Sequence, residues 1–453
     1  MGALVPALAA LAALTRSDPG AAAGAAADPS AAGGAGGAVA FHAPVLVGSS
    51  SYTHFWMPSS LFRGAGDDLI LSIDFAGDGK PCPPPHHPPQ NCSGLFRSRD
   101  LGRSWAPVFG NTPGLALPIP QRTEPGKTRT YNFEAKASAA GGYEIFSAMW
   151  RDDGAEVERV SAESVMVPLL GFPPLAGPPA ASGNVVRLRR RPTELLGTMY
   201  GRLRNSSHAC KPFEGAGAPP WCESPRSAPL VPVPHADRGV VRPGCTSNFF
   251  VSSTSEGRSW SYRSHIDFHS TMSSKAEGIT ESAIAELANG TLLSVFRLQS
   301  DLPLYKAYST DEARSWSAPQ RTPAWSVYPQ LRALPNGAVV LASGRPGLGL
   351  WVSSDSGGSW AFSNLCAQHN RLYPDRALHY QPTELAVRNA SSPGTWPMQT
   401  KAYVGMEVLG CEGAACDVMI TYDRLANGND GPPGPWGKVD AVFAMRVTVS
   451  NGP

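Results

Sequence analysis

Eight cysteines are the first candidates for chemistry in this chain. Three local couples stand out: Cys82 with Cys92, Cys210 with Cys222, and Cys411 with Cys416. Each closes a loop rich in Pro or Gly, leaving Cys245 and Cys366. None has the Cys-x-x-Cys spacing of a zinc site, so no metal and no cofactor are expected. His86 and His87 sit among prolines and read as loop residues, not as ligands. The densest cationic run, Arg187-Leu188-Arg189-Arg190-Arg191, reads as a solvated hairpin. A formal net charge of +2 offers a phosphate backbone little to bind, so nucleic acid is not an expected partner.

The elements that must position any site are short and turn-rich. Charged residues are sparse while Gly, Pro, Ser and Trp are plentiful, a mixture suited to short strands joined by many turns. One pattern recurs: Ser-x-Asp-x-Gly-x-x-Trp, intact at Ser98–Trp105 and Ser353–Trp360. Ser309–Trp316 carries Ala313 in the Gly position, and Ser253–Trp260 carries Ser255 in the Asp position. The Ser and Asp oxygens can accept backbone N–H groups, Gly admits positive φ, and Trp wedges an apolar ring beneath the turn. A period of roughly 40–55 residues points to arrays or propellers.

Strand patterns fill the intervals. Val39–Val47 and Thr53–Asp74 read as strands, with a turn at Asp67-Asp68. Asn132–Lys136 pairs with Tyr143–Trp150, and Val157–Pro168, Asn184–Leu188, Leu195–Tyr200 and Asn248–Val251 follow. Ile284–Leu287 and Leu292–Phe296 flank Asn289-Gly290, a strong hairpin signal that Asn336-Gly337 repeats between Tyr328–Leu334 and Val339–Ser343. Tyr305–Tyr308 and Leu348–Val352 lead into their Ser-x-Asp turns, and the tail supplies Thr383–Val387, Tyr403–Leu409, Asp417–Tyr422 and Val439–Val449. Grouped in fours, these predict an all-β, six-bladed β-propeller over residues 39–453, whose ring protects its edge strands. Loop insertions fall near 78–94 and 205–247, and the N-terminal strand is expected to complete the last blade. Residues 1–38 hold an apolar start, Met1–Leu14, then an Ala/Gly-rich linker expected to be disordered. The start fits a signal-peptide core and is too short to span a bilayer, and no later stretch could span one. With sequons at Asn91, Asn205, Asn289 and Asn389, a secretory or vesicular route is expected.

From about Val39 to Val449 these motifs resemble the Asp-box, or bacterial neuraminidase repeat, proteins, whose best-known members are sialidases. The resemblance implies that the boxes are outer turns away from the pocket. Gly278–Leu287 through Arg297 looks like the sialidase strand pair that carries a glutamate, here Glu281, and an arginine about sixteen positions later, here Arg297. Ser343-Gly344-Arg345-Pro346 looks like the segment bearing a further arginine. Lys401–Val408 with Thr421–Gly428 looks like the last blade, which makes Tyr403 the nucleophile, with Tyr380 as fallback. Asp78 stands where the acid would be, with Asp74 as its rival. Tyr422-Asp423-Arg424 reads as a structural link in the closing blade.

The implied chemistry is coherent. Sialic acid has a carboxylate on its anomeric carbon, which repels a carboxylate nucleophile and favours a neutral tyrosine. A phenol, with an ordinary pKa of about 10, needs a neighbouring base such as Glu281. Arginines fork onto the substrate carboxylate and keep the glutamate ionised. The expected partners are therefore sialylated or other acidic glycans. One departure stands out: where the family has Arg-Ile-Pro on its first strand, this chain has Trp56-Met57-Pro58, and Arg63 falls at the far end of that strand. A lost charge-assisted contact removes about 1.5–3 kcal/mol per hydrogen bond. The sequence thus leaves open a weak sialidase, a hydrolase of another sugar, or a propeller that binds acidic glycans or a protein without cutting. Oligomeric state is not legible in it.

Overall fold

The computed structural model describes residues 38–50, 56–64, 66–74, 93–108, 119–124, 127–132, 135–154, 157–204, 245–268, 272, 278–298, 302–325, 327–345, 347–382, 399–426 and 439–451. The apolar start and linker, most of both loop insertions, Asp78, Thr383–Val387 and Cys82, Cys92, Cys210 and Cys222 lie outside the described residues. All the described residues fall in one compact unit, Gly33–Pro453.

The chain opens with β1 (Ala38–Phe41) and β2 (Val45–Ser50), and then forms the antiparallel sheet β3 (Trp56–Arg63), β4 (Leu69–Asp74), β5 (Ser93–Ser98) and β6 (Ala106–Val108). Next come β7 (Ile119–Glu124), β8 (Lys127–Tyr131), β9 (Lys136–Ala137), β10 (Tyr143–Asp152) and β11 (Val157–Leu170). These are followed by β12 (Ala180–Arg187), β13 (Leu195–Arg202), β14 (Thr246–Ser253) and β15 (Trp260–Ile266). A short parallel pairing of Leu169 and Leu170 with Trp260 and Ser261 joins the two groups into one nine-stranded sheet. Two four-stranded sheets follow in sequence order: β16 (Ser282–Glu286), β17 (Leu292–Phe296), β18 (Pro303–Ser309) and β19 (Gln320–Trp325), then β20 (Gln330–Ala333), β21 (Val339–Gly344), β22 (Leu348–Ser353) and β23 (Ala361–Asn364). Helix α1 (Leu365–Leu372) precedes β24 (Gly405–Glu412), β25 (Ala415–Arg424) and β26 (Asp440–Ser450). Both β1 and β2 pair with β26, so the N-terminal strand completes the last sheet as the sequence suggests.

The first strand of each group packs on the next: β3 on β7, β7 on β12, β12 on β16, β16 on β20, β20 on β24, and β24 back on β3. Strands so enclosed are covered on both faces. The buried runs Leu292–Phe296 and Val339–Gly344 accordingly show no polar alternation. Their hairpins close at Gly290 and Gly337, with φ of 85° and 86°.

The Ser-x-Asp turns are built as their chemistry suggests. Ser98 Oγ accepts the Gly102 N–H at 2.7 Å, and Asp100 accepts the Ser104 N–H at 2.8 Å and its hydroxyl at 2.6 Å. The Ser309 and Ser353 copies repeat this set, and Ala313 adopts φ of 65° in the Gly position. In the fourth copy a single hydroxyl, Ser255 Oγ, meets both the Ser259 N–H (3.0 Å) and the Ser259 hydroxyl (2.9 Å). These turns also tie strand groups together, two of them across separate sheets. Tyr131 Oη, Ser264 Oγ and Lys306 Nζ each donate to the carbonyl of a turn's fifth residue, Gly257, Ala313 and Gly357.

Some expectations are corrected. Of the expected strand Asn132–Lys136, only Lys136 is laddered, in β9 against Glu144 of β10; β8 ends at Tyr131, and the Ala135 N–H turns to the Pro179 carbonyl. Tyr403 precedes its strand instead of lying in it. The sequence reading has no counterpart to α1, whose N-cap Asn364 side chain accepts the Ala367 N–H at 2.9 Å. Cys411 and Cys416 form a disulfide between opposed residues of β24 and β25. Cys245 is also disulfide-bonded, whereas Cys366 is a buried thiol, so the two left over do not pair with each other. No helix among the described residues is long and apolar enough to cross a membrane.

Candidate active site

Four of the five residues singled out from sequence meet at one end of the strands. Glu281 stands just before β16 and Arg297 just after β17. Extending the Ser282–Phe296 register by one step puts them opposite each other, and the Arg297 N–H donates to the Glu281 carbonyl at 2.9 Å. The spacing of sixteen is therefore a cross-strand pairing. Arg345 occupies the turn between β21 and β22 at φ of 67°. Tyr403 lies two residues before β24. The Ser-x-Asp turns are at the opposite end: β22 begins beside Arg345 and ends at Ser353.

The Tyr403 hydroxyl donates to Glu281 Oε1 at 2.5 Å, and Arg297 Nη1 pairs with Glu281 Oε2 at 2.9 Å. A third donor, the Tyr328 N–H, reaches Oε2 at 2.8 Å. The Tyr328 ring stacks on Tyr403 with centroids 5.0 Å apart. Arg345 sits over the Tyr403 ring at 5.7 Å and donates to the Lys401 carbonyl at 3.1 Å.

Burial and charge act in opposite directions here. Burial alone would raise the Glu281 pKa. Arg297 and the hydrogen bonds from Tyr403, Arg297 and Tyr328 outweigh it, so the carboxyl is held below its ordinary value. Burial and then the Glu281 charge push the Tyr403 phenol up. The shared proton therefore rests on Tyr403, with an ionised acceptor beside it. Arg345 is lowered, chiefly by burial.

The segment just before Tyr403 is bonded to an acid that the sequence reading treats as a structural link. Asp423 is fully buried on β25 and accepts the Thr400 hydroxyl at 2.6 Å and the Lys401 N–H at 3.0 Å. Burial raises its pKa to about 6, and the Thr400 and Lys401 hydrogen bonds restrain the rise. Tyr380, the fallback nucleophile, is turned away, donating its hydroxyl to the Asp423 carbonyl at 2.7 Å.

Two comparisons bring nothing: no protein-family model and no curated protein matches the sequence. Among solved structures, a protein of unknown function from Dyadobacter fermentans superposes with a TM-score of 0.52 at 13% identity, over 91% of this chain and 99% of that one. The two chains share a fold. A Penicillium chrysogenum alpha-L-arabinanase complexed with arabinobiose reaches 0.48 at 13% identity, over 89% and 98% of the two chains. A Hadza microbial sialidase reaches 0.48 at 12% identity, over 86% of this chain and 65% of its own.

Of the remaining sequence candidates, Arg63 lies apart from the cluster, and the others fall wholly or by their side chains outside the described residues. Asp78 is outside the described residues, as is the side chain of Asp74. Trp56 opens β3, and the Pro58 carbonyl two residues on accepts Thr421 Oγ1 at 2.7 Å close to β24, so the backbone of β3 starts at the site end. The Trp56 side chain is not described. Arg63 ends the same strand far from the site, bonded to Asp67 at 3.0 Å and to the Val408 carbonyl at 2.9 Å. Arg332, which is not among the sequence candidates, donates to the Met406 carbonyl at 2.7 Å. Among the described residues no group of three or more His, Cys, Asp or Glu side chains could hold a metal ion. Tyr328 has no motif that would have revealed it. Asp423 carries a faint signal, a carboxylate that follows the buried run Val418–Tyr422 of β25, opposite Tyr403 when the register is extended.

Proposed function

We propose that the chain is a sialidase-like retaining exo-glycosidase on a six-bladed β-propeller, with Tyr403 as nucleophile and Glu281 as its base. The single observation that carries this reading is the 2.5 Å contact between the Tyr403 hydroxyl and an ionised Glu281, flanked by Arg297 and Arg345. The ring of first strands supports the propeller: the nine-stranded sheet counts as two blades joined at their outer edges, and the other four sheets as one blade each. In the first step Tyr403 Oη bonds to the anomeric carbon and passes its proton to Glu281, while the aglycone departs with a proton from an acid, assigned to Asp78 or Asp74. Water then attacks the same carbon and gives its proton to the aspartate that served as the acid, while the bond to Tyr403 breaks and the phenolate recovers its proton from Glu281. Arg297 and Arg345 bind the sugar's carboxylate, and a tyrosine attacks beside it without the repulsion a carboxylate would meet. The Cys411–Cys416 disulfide supports a secretory or vesicular setting.

The test is release of the fluorophore from an aryl sialoside between about pH 4 and 8, with Tyr403→Phe abolishing it. A parent protein without turnover across that range overturns the hydrolase reading. Trp56 in place of the first arginine favours a second reading, a propeller that binds acidic glycans without cutting. Glycan binding that survives Glu281→Gln with Tyr403→Phe, in a parent that does not turn over, would establish it.

A further inference from the structure

The 401–402 peptide unit beside Tyr403 is gripped at both ends. Its carbonyl accepts from Arg345 Nη2 at 3.1 Å, and its N–H donates to Thr400 Oγ1 at 2.8 Å. Thr400 in turn donates its hydroxyl to Asp423 at 2.6 Å, and Asp423 also takes the preceding N–H, that of Lys401. Between these anchors Ala402 is forced to φ of 62°, a left-handed conformation that a residue with a Cβ adopts at a cost of about 1–2 kcal/mol. Ala402 is fully buried, and a Cβ added to Gly344, beside Arg345, would lie 2.7 Å from the Ala402 Cβ. The bend and the Arg345 turn are therefore fitted to each other. Backbone held in this way persists only where its surroundings over-determine it, and such sites cluster around chemistry.

We propose that Asp423, acting through Thr400, is a positioning residue that locks the Lys401-Ala402 bend and so fixes both Tyr403 against Glu281 and Arg345 over the Tyr403 ring. Asp423 touches neither substrate nor the reacting phenol. It sets the geometry in which the proton can pass. The proposal rests on the reading of Tyr403 as nucleophile, but the bend itself can be measured without turnover.

The experiment compares Thr400→Val, which keeps the shape and loses both hydrogen bonds, with Thr400→Ser, which keeps the hydroxyl. Hydrogen exchange of the full-length protein, read on peptides covering residues 399–406, should be at least about tenfold faster in Thr400→Val and near the parent's in Thr400→Ser, as expected for the loss of hydrogen bonds worth about 1.4 kcal/mol or more. On the aryl sialoside, Thr400→Val should lose on the order of a hundredfold in kcat, the cost of an ångström of misplacement, with KM within about twofold and Thr400→Ser restoring turnover. Asp423→Leu, which has no acceptor, should reproduce the Thr400→Val pattern, while Asp423→Asn, whose amide oxygen still accepts the Thr400 hydroxyl, should fall between it and the parent. Unchanged exchange in Thr400→Val overturns the latch, and so does a loss that falls on KM alone or that Thr400→Ser shares. If the parent turns nothing over, the hydrolase reading falls, and the exchange comparison still decides whether the latch exists.

Discussion

Replacing Arg297 by Gln tests whether the Glu281–Arg297 pair is what keeps a buried carboxylate charged. At 2.9 Å and an effective dielectric of about 20, the gross attraction is on the order of 6 kcal/mol. Much of this offsets the cost of burying the two charges, whose side chains are 13% and 7% exposed. Removing the arginine leaves Glu281 with the Tyr403 and Tyr328 donors but no ion-pair partner in contact, only the charge of Arg345 beyond Tyr403. Losing the direct partner of a buried charge costs about 3–5 kcal/mol. Glu281→Gln alone should cost less, since it leaves the more exposed partner. The double mutant, a neutral pair of amides, should be more stable than the sum of the singles by about 1–3 kcal/mol. Chemical denaturation at pH 7 measures all three. The pH trends carry opposite signs. In the parent, Glu281 is held below its ordinary value of 4.5, so its contribution is present above that pH and is lost as pH falls through the folded value. In Arg297→Gln burial prevails and the carboxyl rises, so the variant's deficit should shrink as the solution is acidified. Additive single mutants, or a deficit that grows on acidification, would refute the reasoning.

Two further substitutions probe the frame around the site. Ser255→Asp should restore the second acceptor that the other Ser-x-Asp turns have and raise stability by about 0.5–1.5 kcal/mol, visible as a higher Tm. The gain should fade in acid: the equivalent Asp311 is held at about 2, chiefly by the Ser315 hydroxyl, and stabilisation by a depressed carboxyl is lost as pH falls through its folded value. Gly183 on β12 has φ of 71°, and a Cβ there would lie 1.6 Å from the Ser282 carbonyl, next to Glu281. Gly183→Ala should therefore cost about 3 kcal/mol and reduce turnover as well as stability, since relief requires β16 to move; wild-type kinetics in that variant would contradict the packing.

What could be read from sequence and what could not divides along physical lines. A hairpin reflects residues about its centre, so Asn289-Gly290 placed between two apolar runs sets Glu281 opposite Arg297 before any coordinate is known. In β24 and β25 a bulge between Val408 and Gly410 shifts the register by one, so that the Gly405–Thr421 pairing, extended, brings Asp423 and not Arg424 opposite Tyr403. Only the acid's presence was legible in the sequence. Its role was not, because the decisive contacts come from Thr400 and Lys401, which have left the ladder. Tyr328 was out of reach for a related reason. It contributes an N–H and a ring face from a loop at φ of 40°, and neither a backbone donor nor a left-handed tyrosine leaves a mark in residue type or spacing. Residues placed by regular ladders are thus legible from pattern alone. Arg345 and Tyr403, placed by strained bends, were legible only through the motifs that carry them, and Tyr328, with no motif, was not. The chemistry proposed for Tyr403 depends on both kinds: regular pairing brings its base into range, and the bend at Ala402 decides whether the phenol points at it.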